Sequence, residues 1–180
     1  LLESFRDLFA LRNVVNYDII FKLTLCGALV GVGFGMATRF FNLFFNITHN
    51  ASDEQVGLYL GIGALGGAFT VLLSPYITRR WGMARGIMIT QLASAPFLLL
   101  MAVLSNLPIV LFFFVARGAI YGISMPLHNQ LSMAFLVPRE RATTAGLTHM
   151  AFDLGGAIGA LVGGALIVGG EFLGAFSVAA

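Results

Sequence analysis

Charged residues are scarce in this sequence. Only 10% of its 180 residues are Asp, Glu, Lys or Arg, whereas 58% are hydrophobic and the mean hydropathy is +0.92. Soluble domains carry about 25% charged residues, so this chain cannot cover its surface for water. No Asp, Glu, Lys or Arg occurs in residues 55–78, 86–116 or 118–138. Each run reaches the roughly 20 residues that a spanning helix needs, which indicates an integral membrane protein.

Other chemical signatures are missing too, and each absence argues against a class of function. The net charge of +2 is small and no basic patch is interleaved with aromatic residues, so nothing indicates a nucleic-acid partner. The single cysteine, Cys26, cannot pair within the chain, and we interpret it as a small packing residue. No H-E-x-x-H, G-x-S-x-G or paired acidic motif occurs. We therefore expect no enzyme activity, no metal site and no cofactor.

What remains is a series of long apolar runs separated by short polar breaks. Residues 1–16 are amphipathic at helical spacing and predict an interfacial or linker helix. The later runs predict spans over residues 17–45, 56–77, 86–104, 109–135, 144–168 and 172–180. The predicted fold class is an all-α membrane protein, a six-transmembrane-helix bundle over residues 17–180. Because the chain starts with Leu and the last span is truncated, we expect a piece of a longer protein.

Glycines and prolines indicate how these helices pack and where they break. Gly155, Gly159 and Gly163 form a small-x-x-x-small stripe on the fifth span, which allows another helix to approach closely. Pro96 is expected to kink or shorten the third span. Pro126 is expected to break the fourth span and to free backbone groups for a polar site.

One face of the fourth span is polar. At 100° per residue, Arg117, Tyr121, Ser124 and His128 lie within about 60° of one another, and Asn129 follows them. An ionisable group in the hydrocarbon costs roughly 2.5 to 3.5 kcal/mol, so such a face needs polar surroundings. The pattern therefore predicts a water-filled or substrate-filled cavity along this helix.

The first span carries a second polar face near its end, with Arg39 and Asn42 separated by three residues. Two interpretations of Arg39 are open. Its side chain either extends to the outer membrane surface or lies at the mouth of the cavity. In the second case Asn42 contributes hydrogen bonds to the same cavity.

The fifth span carries two titratable residues one turn apart, His149 and Asp153. A carboxyl group held within a membrane can take up and release protons during a transport cycle, so we predict this pair as the proton-coupling site. The alternatives are an ion pair between Asp153 and a basic residue across a helix interface, and hydrogen-bonded helix contacts for His128 and His149.

Basic residues lie on alternate connections between the spans. Arg79, Arg80 and Arg85 join the second span to the third, and Arg139 and Arg141 join the fourth to the fifth. The other connections hold no Lys or Arg, and two of them hold the acidic residues Asp53, Glu54 and Glu171. By the positive-inside rule the N-terminus is cytoplasmic. We predict a multi-pass protein of a bacterial or archaeal cytoplasmic membrane.

With these residues placed, the chain resembles the C-terminal six-helix half of a major facilitator superfamily transporter. Residues 75–82, Pro-Tyr-Ile-Thr-Arg-Arg-Trp-Gly, lie where the family has its G-x-x-x-D-R-x-G-R-R signature. Arg79 occupies the Asp position, and Pro75 replaces the leading Gly. The resemblance implies that Arg79, Arg80, Gly82 and Arg85 form a cytoplasmic gating loop.

Two further motifs carry the resemblance. Arg117-Gly118, with Pro126 and Arg141 after it, is similar to the fourth-helix region of that half. Residues 146–164 match the antiporter motif G-x8-G-x3-G-P-x2-G-G, except that Ala160 replaces Pro. In the family this motif belongs to the first half, and it favours export.

The resemblance implies two six-helix bundles, each a 3+3 repeat, that rock about a central site. The first and fourth helices would line the cavity, the second and fifth would face a missing N-terminal half, and the third and sixth would face lipid. The implied partners are the bilayer, that other half and a small-molecule substrate.

Three functions stay open. The leading one is half of a proton-coupled secondary transporter, with Arg39 and Arg117 attracting a polar or anionic substrate. The second is a non-transporting receptor or scaffold with a transporter fold. The third and weakest is an intramembrane enzyme that uses His128, His149 and Asp153. Whether the polar faces of the first and fourth helices meet in an open cavity or are plugged is the observation that distinguishes the first from the second.

Overall fold

The computed structural model describes residues 17–168 and 172–180, and these residues are almost entirely helical. The α-helices are α1 (Tyr17–Ala37), α2 (Phe41–His49), α3 (Asp53–Val71), α4 (Ser74–Trp81), α5 (Met83–Val103), α6 (Leu107–Phe135), α7 (Pro138–Ile167) and α8 (Phe172–Ala179). A 3-10 turn, Thr38–Phe40, joins α1 to α2. The predicted interfacial or linker helix over residues 1–16 lies outside the described residues.

Four helical stretches are long and apolar enough to cross a membrane, namely Tyr17–His49, Met83–Val103, Leu107–Ala134 and Glu140–Ile167. The pair α3 and α4 passes the same test together, although it bends by 49° at its break. Helix α8 follows as an eight-residue apolar segment. The predicted all-α membrane fold is confirmed.

Several predicted boundaries differ from the structure, because local helix signals extend the helices. Helix α3 begins at Asp53 because Ser52 and Gln55 form a capping box, in which each side chain accepts a hydrogen bond from the other's backbone N–H. Helix α7 begins at Pro138 rather than near residue 144, since proline is favoured in the first helical turn. The first span contains the 3-10 turn that sequence periodicity did not indicate.

The predicted break at Pro126 is wrong. Helix α6 continues through Pro126 from Leu107 to Phe135, and α5 likewise continues through Pro96. A proline inside a membrane helix removes one hydrogen bond, but neighbouring helices can compensate for the groups it frees. The polar residues of α6 therefore lie along one continuous helix.

Helices α1 and α7 make the most intimate contact of the bundle, and glycine lines both sides of it. A methyl group added at Gly31 or Gly35 would collide with the backbone carbonyl of Phe152 or Gly156 on α7. The reverse also holds, because a methyl group at Gly155 or Gly159 would collide with the carbonyl of Ala28 or Val32 on α1. Gly163 lies in the same way against Met36. The backbones are therefore in direct contact, which only glycine permits.

Helices α3 and α6 repeat this arrangement. Gly63 lies against Phe114, and a methyl group at Gly122 would collide with the carbonyl of Gly67. The hydroxyl of Thr70 donates a hydrogen bond to the carbonyl of Ala119 across the contact, at 2.6 Å. Helix α5 packs on α6 as well.

The contacts also give the helix directions. Gly27 lies against Thr148, and Gly35 lies against Gly156. Residue numbers therefore rise in the same direction along both helices, so α1 and α7 are parallel. Gly86 lies against Leu127 whereas Phe97 lies against Phe113, so α5 and α6 are antiparallel. Basic residues consequently gather where α1, α5 and α7 begin and α6 ends. We call this the basic end; it carries Lys22, Arg79, Arg80, Arg85 and Arg141.

The opposite end is filled by aromatic rings. The ring centroids of neighbouring members of this cluster are 5.1 to 6.0 Å apart and most of the pairs are T-shaped, a favourable geometry. We call the cluster the aromatic end; it consists of Phe41, Phe44, Phe45, Phe114, Phe172 and Phe176. All six side chains are buried.

We predict that Gly159→Ala destabilises the protein because the added methyl group would overlap the Val32 carbonyl. Overpacking of this kind lowers the free energy of unfolding by roughly 1 to 3 kcal/mol. The matched control is Gly146→Ala on the same helix, where an added methyl group meets nothing within 4 Å. Thermal unfolding of both variants in detergent makes the comparison. Equal melting temperatures would contradict the glycine contact.

Candidate functional site

A cavity of about 380 Å³ lies at the basic end, between α1, α5, α6 and α7. Its walls are mainly apolar; its polar side chains come from α5, α6 and α7, whereas α1 contributes apolar residues and the thiol of Cys26. The volume falls in the usual range of small-molecule sites. The cavity is thus lined by four helices, whereas the resemblance implied only the first and fourth spans.

The polar face predicted on the fourth span contributes most of its members to this cavity. Tyr121, Ser124, His128 and Asn129 of α6 all line it. Ser124 is buried, and its hydroxyl has no hydrogen-bond partner among the described residues. Such a group is normally satisfied by water or a ligand.

His128 is held by a residue from another helix. Its Nε2 lies 2.9 Å from the side-chain amide nitrogen of Gln91 on α5, so the amide donates and the imidazole accepts in this arrangement. The Ser132 hydroxyl donates to the His128 carbonyl at 2.9 Å. The imidazole therefore has a fixed orientation at the wall of the cavity.

Arg117 does not line this cavity, although it shares the polar face. Its guanidinium carbon lies 5.3 Å from the centre of the Phe41 ring, a cation–π distance. Its Nε is buried and has no hydrogen-bond partner in the part of the chain that the structure describes. Arg117 thus lies between the cavity and the aromatic end. Tyr121, one turn nearer the cavity, stacks at 5.9 Å on Phe34 of α1.

Arg39 and Asn42 lie away from this cavity. Arg39 is exposed on the 3-10 turn, and its guanidinium lies near Gly156 of α7. A methyl group added at Gly156 would lie 3.5 Å from Arg39 Nη2. Asn42 is exposed on α2 and accepts a hydrogen bond from Asn46 at 3.3 Å, while Asn46 also donates to Asp53 at 3.2 Å. The Arg39 face and the Tyr121–His128 face therefore do not meet in one cavity; only the α6 face lines the cavity. The distinction between a transporter and a receptor consequently depends on whether the accessibility of this one cavity changes.

Of the two predicted proton-coupling residues, His149 lines the cavity and Asp153 does not. His149 is exposed at the cavity and belongs to its lining. Asp153 is exposed one turn further along α7, outside the lining. The described residues contain no group of three His, Cys, Asp or Glu side chains that could hold a metal ion.

The predicted gating loop is mostly helical. Arg79 and Arg80 belong to the last turn of α4, and Arg85 belongs to the first turn of α5. Only Gly82 is non-helical, with φ +77°, a conformation that favours glycine. The loop is thus a one-residue turn between two helices, and its arginines are presented from helix ends at the basic end.

Sequence analysis missed several lining residues, which are Cys26, Gln91, Ser132, Arg141 and Thr148. Gln91 carried the clearest signal, because a glutamine within an uncharged run needs a hydrogen-bond partner. From the sequence, Arg141 had a place in the topology and in the fourth-helix motif, but not in the cavity. Its Nε donates to the Leu136 carbonyl at 3.2 Å and so caps α6.

We predict that Gln91 and His128 are energetically coupled. A double-mutant cycle with Gln91→Leu and His128→Leu should give a coupling of roughly 0.6 to 1.7 kcal/mol, the range for hydrogen bonds between membrane helices. Unfolding in mixed detergent measures it. Ser132→Ala serves as the control partner, since its hydroxyl bonds within its own helix. A Gln91–His128 coupling no larger than the Gln91–Ser132 coupling would contradict the contact.

Comparison with known proteins identifies the family. No curated protein and no solved structure matches the chain. The sequence model described as the Major Facilitator Superfamily matches residues 23–180, which include every described residue that lines the cavity. With the all-α membrane fold, this match shows that the chain belongs to the major facilitator superfamily, a family of membrane transporters.

Proposed function

We propose that this chain forms half of a secondary active transporter, which moves a small solute across the cytoplasmic membrane by alternating access. The observation that carries the proposal is the cavity at the basic end combined with aromatic packing at the other end. Alternating access requires a site that is accessible from one side and closed from the other. A second six-helix unit completes the transporter, and the basic end is cytoplasmic.

Within this proposal the residues have separate roles. Tyr121, Ser124, His128 and Asn129 offer hydrogen bonds to the solute in the cavity. Arg117 lies at the inner limit of the solute path, where its half-buried guanidinium, with a buried and unpaired Nε, attracts a polar or anionic group. Arg39 on the 3-10 turn and Asn42 in the helix after it belong to the outer part of the path.

Proton coupling and export complete the proposal. His149 lines the cavity and Asp153 follows it by one turn, so a proton taken up at Asp153 changes the charge beside the solute site. The antiporter-like glycines Gly155 and Gly159 lie in the α1–α7 contact, where a rocking half would need rigid packing. Arg79, Arg80, Gly82 and Arg85 contact the second half during gating.

A non-transporting receptor or scaffold is the second candidate, and accessibility of Cys26 separates the two. Cys26 is exposed, lines the cavity and is the only cysteine in this chain. In the full-length protein, with any cysteine outside this chain replaced, we expect a membrane-impermeant maleimide to label Cys26 from the cytoplasmic side. An imposed proton gradient should change the labelling rate severalfold, because alternating access closes the cavity.

The control for this labelling is Cys26→Ser combined with Val137→Cys, which places the thiol at an exposed position of the basic end outside the cavity. Its labelling rate should not respond to the gradient. A Cys26 rate that is equally insensitive would favour the receptor or scaffold and overturn transport.

We further predict that Asp153→Asn abolishes proton-driven transport without lowering the amount of protein, because an amide cannot carry the proton. Solute flux in proteoliposomes under an imposed proton gradient measures the effect. Glu54→Gln is the matched control, since Glu54 is an exposed acid in the first turn of α3, away from the cavity. Normal flux in Asp153→Asn would remove this residue from the mechanism.

A further inference from the structure

We infer that the cavity binds an amphipathic anion, with its charged group at Arg141 and its apolar body directed towards Phe152. This inference rests on the proposed transport function and names the chemical class of the solute. Three features of the cavity support it: the sign of its charge, the chemistry of its walls, and the order of residues along α7.

The charge of the lining has one sign. Among the described residues that line the cavity, Arg141 is the only Asp, Glu, Lys or Arg side chain. An ion that enters apolar surroundings needs an opposite charge, since an unpaired ion there is strongly unfavourable. An anion finds that partner in Arg141, and the guanidinium fits carboxylate and phosphate groups well. A cation finds no carboxylate in this lining.

The walls favour an apolar body. Met88, Met125 and Met133 come from two helices and surround the cavity together with Leu23 and Val30. Methionine side chains are flexible and polarizable, so they adapt to flat or irregular apolar groups and make favourable contacts with aromatic rings. These walls indicate a site that tolerates variation in the body of the solute.

The sequence order along α7 places the two parts of the solute. Arg141, Ala145, Thr148 and Phe152 line the cavity at intervals of four, three and four residues. Eleven residues of α-helix span about 16 Å, so Arg141 and Phe152 mark opposite ends of the lining. Arg141 lies at the basic end, whereas Phe152 lies deeper and its ring packs on Phe34 at 5.5 Å. The charged group therefore faces the cytoplasmic side.

The test uses three probes that share a naphthalene ring system and differ in charge: naphthoate, naphthalenemethanol and naphthylmethylammonium. Each is added to the full-length protein in phosphatidylcholine proteoliposomes, and the rate of Cys26 alkylation by N-ethylmaleimide is measured. We expect naphthoate to protect Cys26 at the lowest concentration, naphthalenemethanol more weakly and naphthylmethylammonium not at all. Protection by the cation equal to that by the anion would overturn the inference.

Variants of Arg141 test whether this residue binds the anionic group of the probe. Arg141→Gln should raise the half-protecting concentration of naphthoate by roughly tenfold, as expected for loss of a charge-assisted hydrogen bond, while Arg141→Lys retains protection. Lys22→Gln is the matched control, because Lys22 is exposed at the same end outside the lining. An unchanged alkylation rate without probe shows that each variant keeps the cavity. Equal effects of Arg141→Gln and Lys22→Gln would overturn the assignment.

Such an anion could be a free solute or a lipid. Replacing phosphatidylcholine by phosphatidylglycerol without any probe separates these sources: slower alkylation assigns the site to an anionic lipid, and an unchanged rate assigns it to a soluble anion. The assay needs no transport. If the three probes protect Cys26 equally while the proton gradient still changes the labelling rate of Cys26, this inference alone is overturned. Selective protection without that response overturns the transport proposal alone.

Discussion

The close parallel contact between α1 and α7 is the constraint on which the rest of the bundle depends. Lipid is as apolar as the helix surfaces, so helices in a membrane associate through packing rather than through the hydrophobic effect. Glycines on both helices bring the two backbones together from Gly27 to Met36. Gly27, Thr148 and Phe152 belong to this contact and also line the cavity. The cavity therefore lies alongside the part of the glycine contact that is nearest the basic end.

The two ends of the bundle differ because their side chains differ. Phenylalanine rings fill the space at the aromatic end, whereas at the basic end methionine, serine and histidine side chains leave a cavity. Arg117 lies between the two, over the Phe41 ring. A half-buried cation at that boundary is stabilised by an aromatic face on one side and remains available to a polar group on the other. This asymmetry agrees with a transporter family.

The all-α fold class and the polar face of α6 could be predicted, because each depends on residues that are close together in the sequence. Tyr121, Ser124 and His128 share a face in any straight α-helix, so their approach to one cavity required no knowledge of the neighbours. Gln91 and Arg141 could not be assigned in this way, because their roles depend on which helices pack beside them. Pro126 was misjudged because its cost depends on the tertiary surroundings.

The sequence alone determined that lipid surrounds this chain, that its helices alternate in direction and that its basic residues gather at one end. These properties follow from hydropathy, span length and charge position, which are one-dimensional. Only the tertiary structure decided that Arg39 and Asn42 lie apart from the cavity, and that α5 and α7 complete its walls. The reason is that a cavity forms from the distances between helices, and those distances depend on pairs of residues far apart in the chain, such as Gly31 and Phe152.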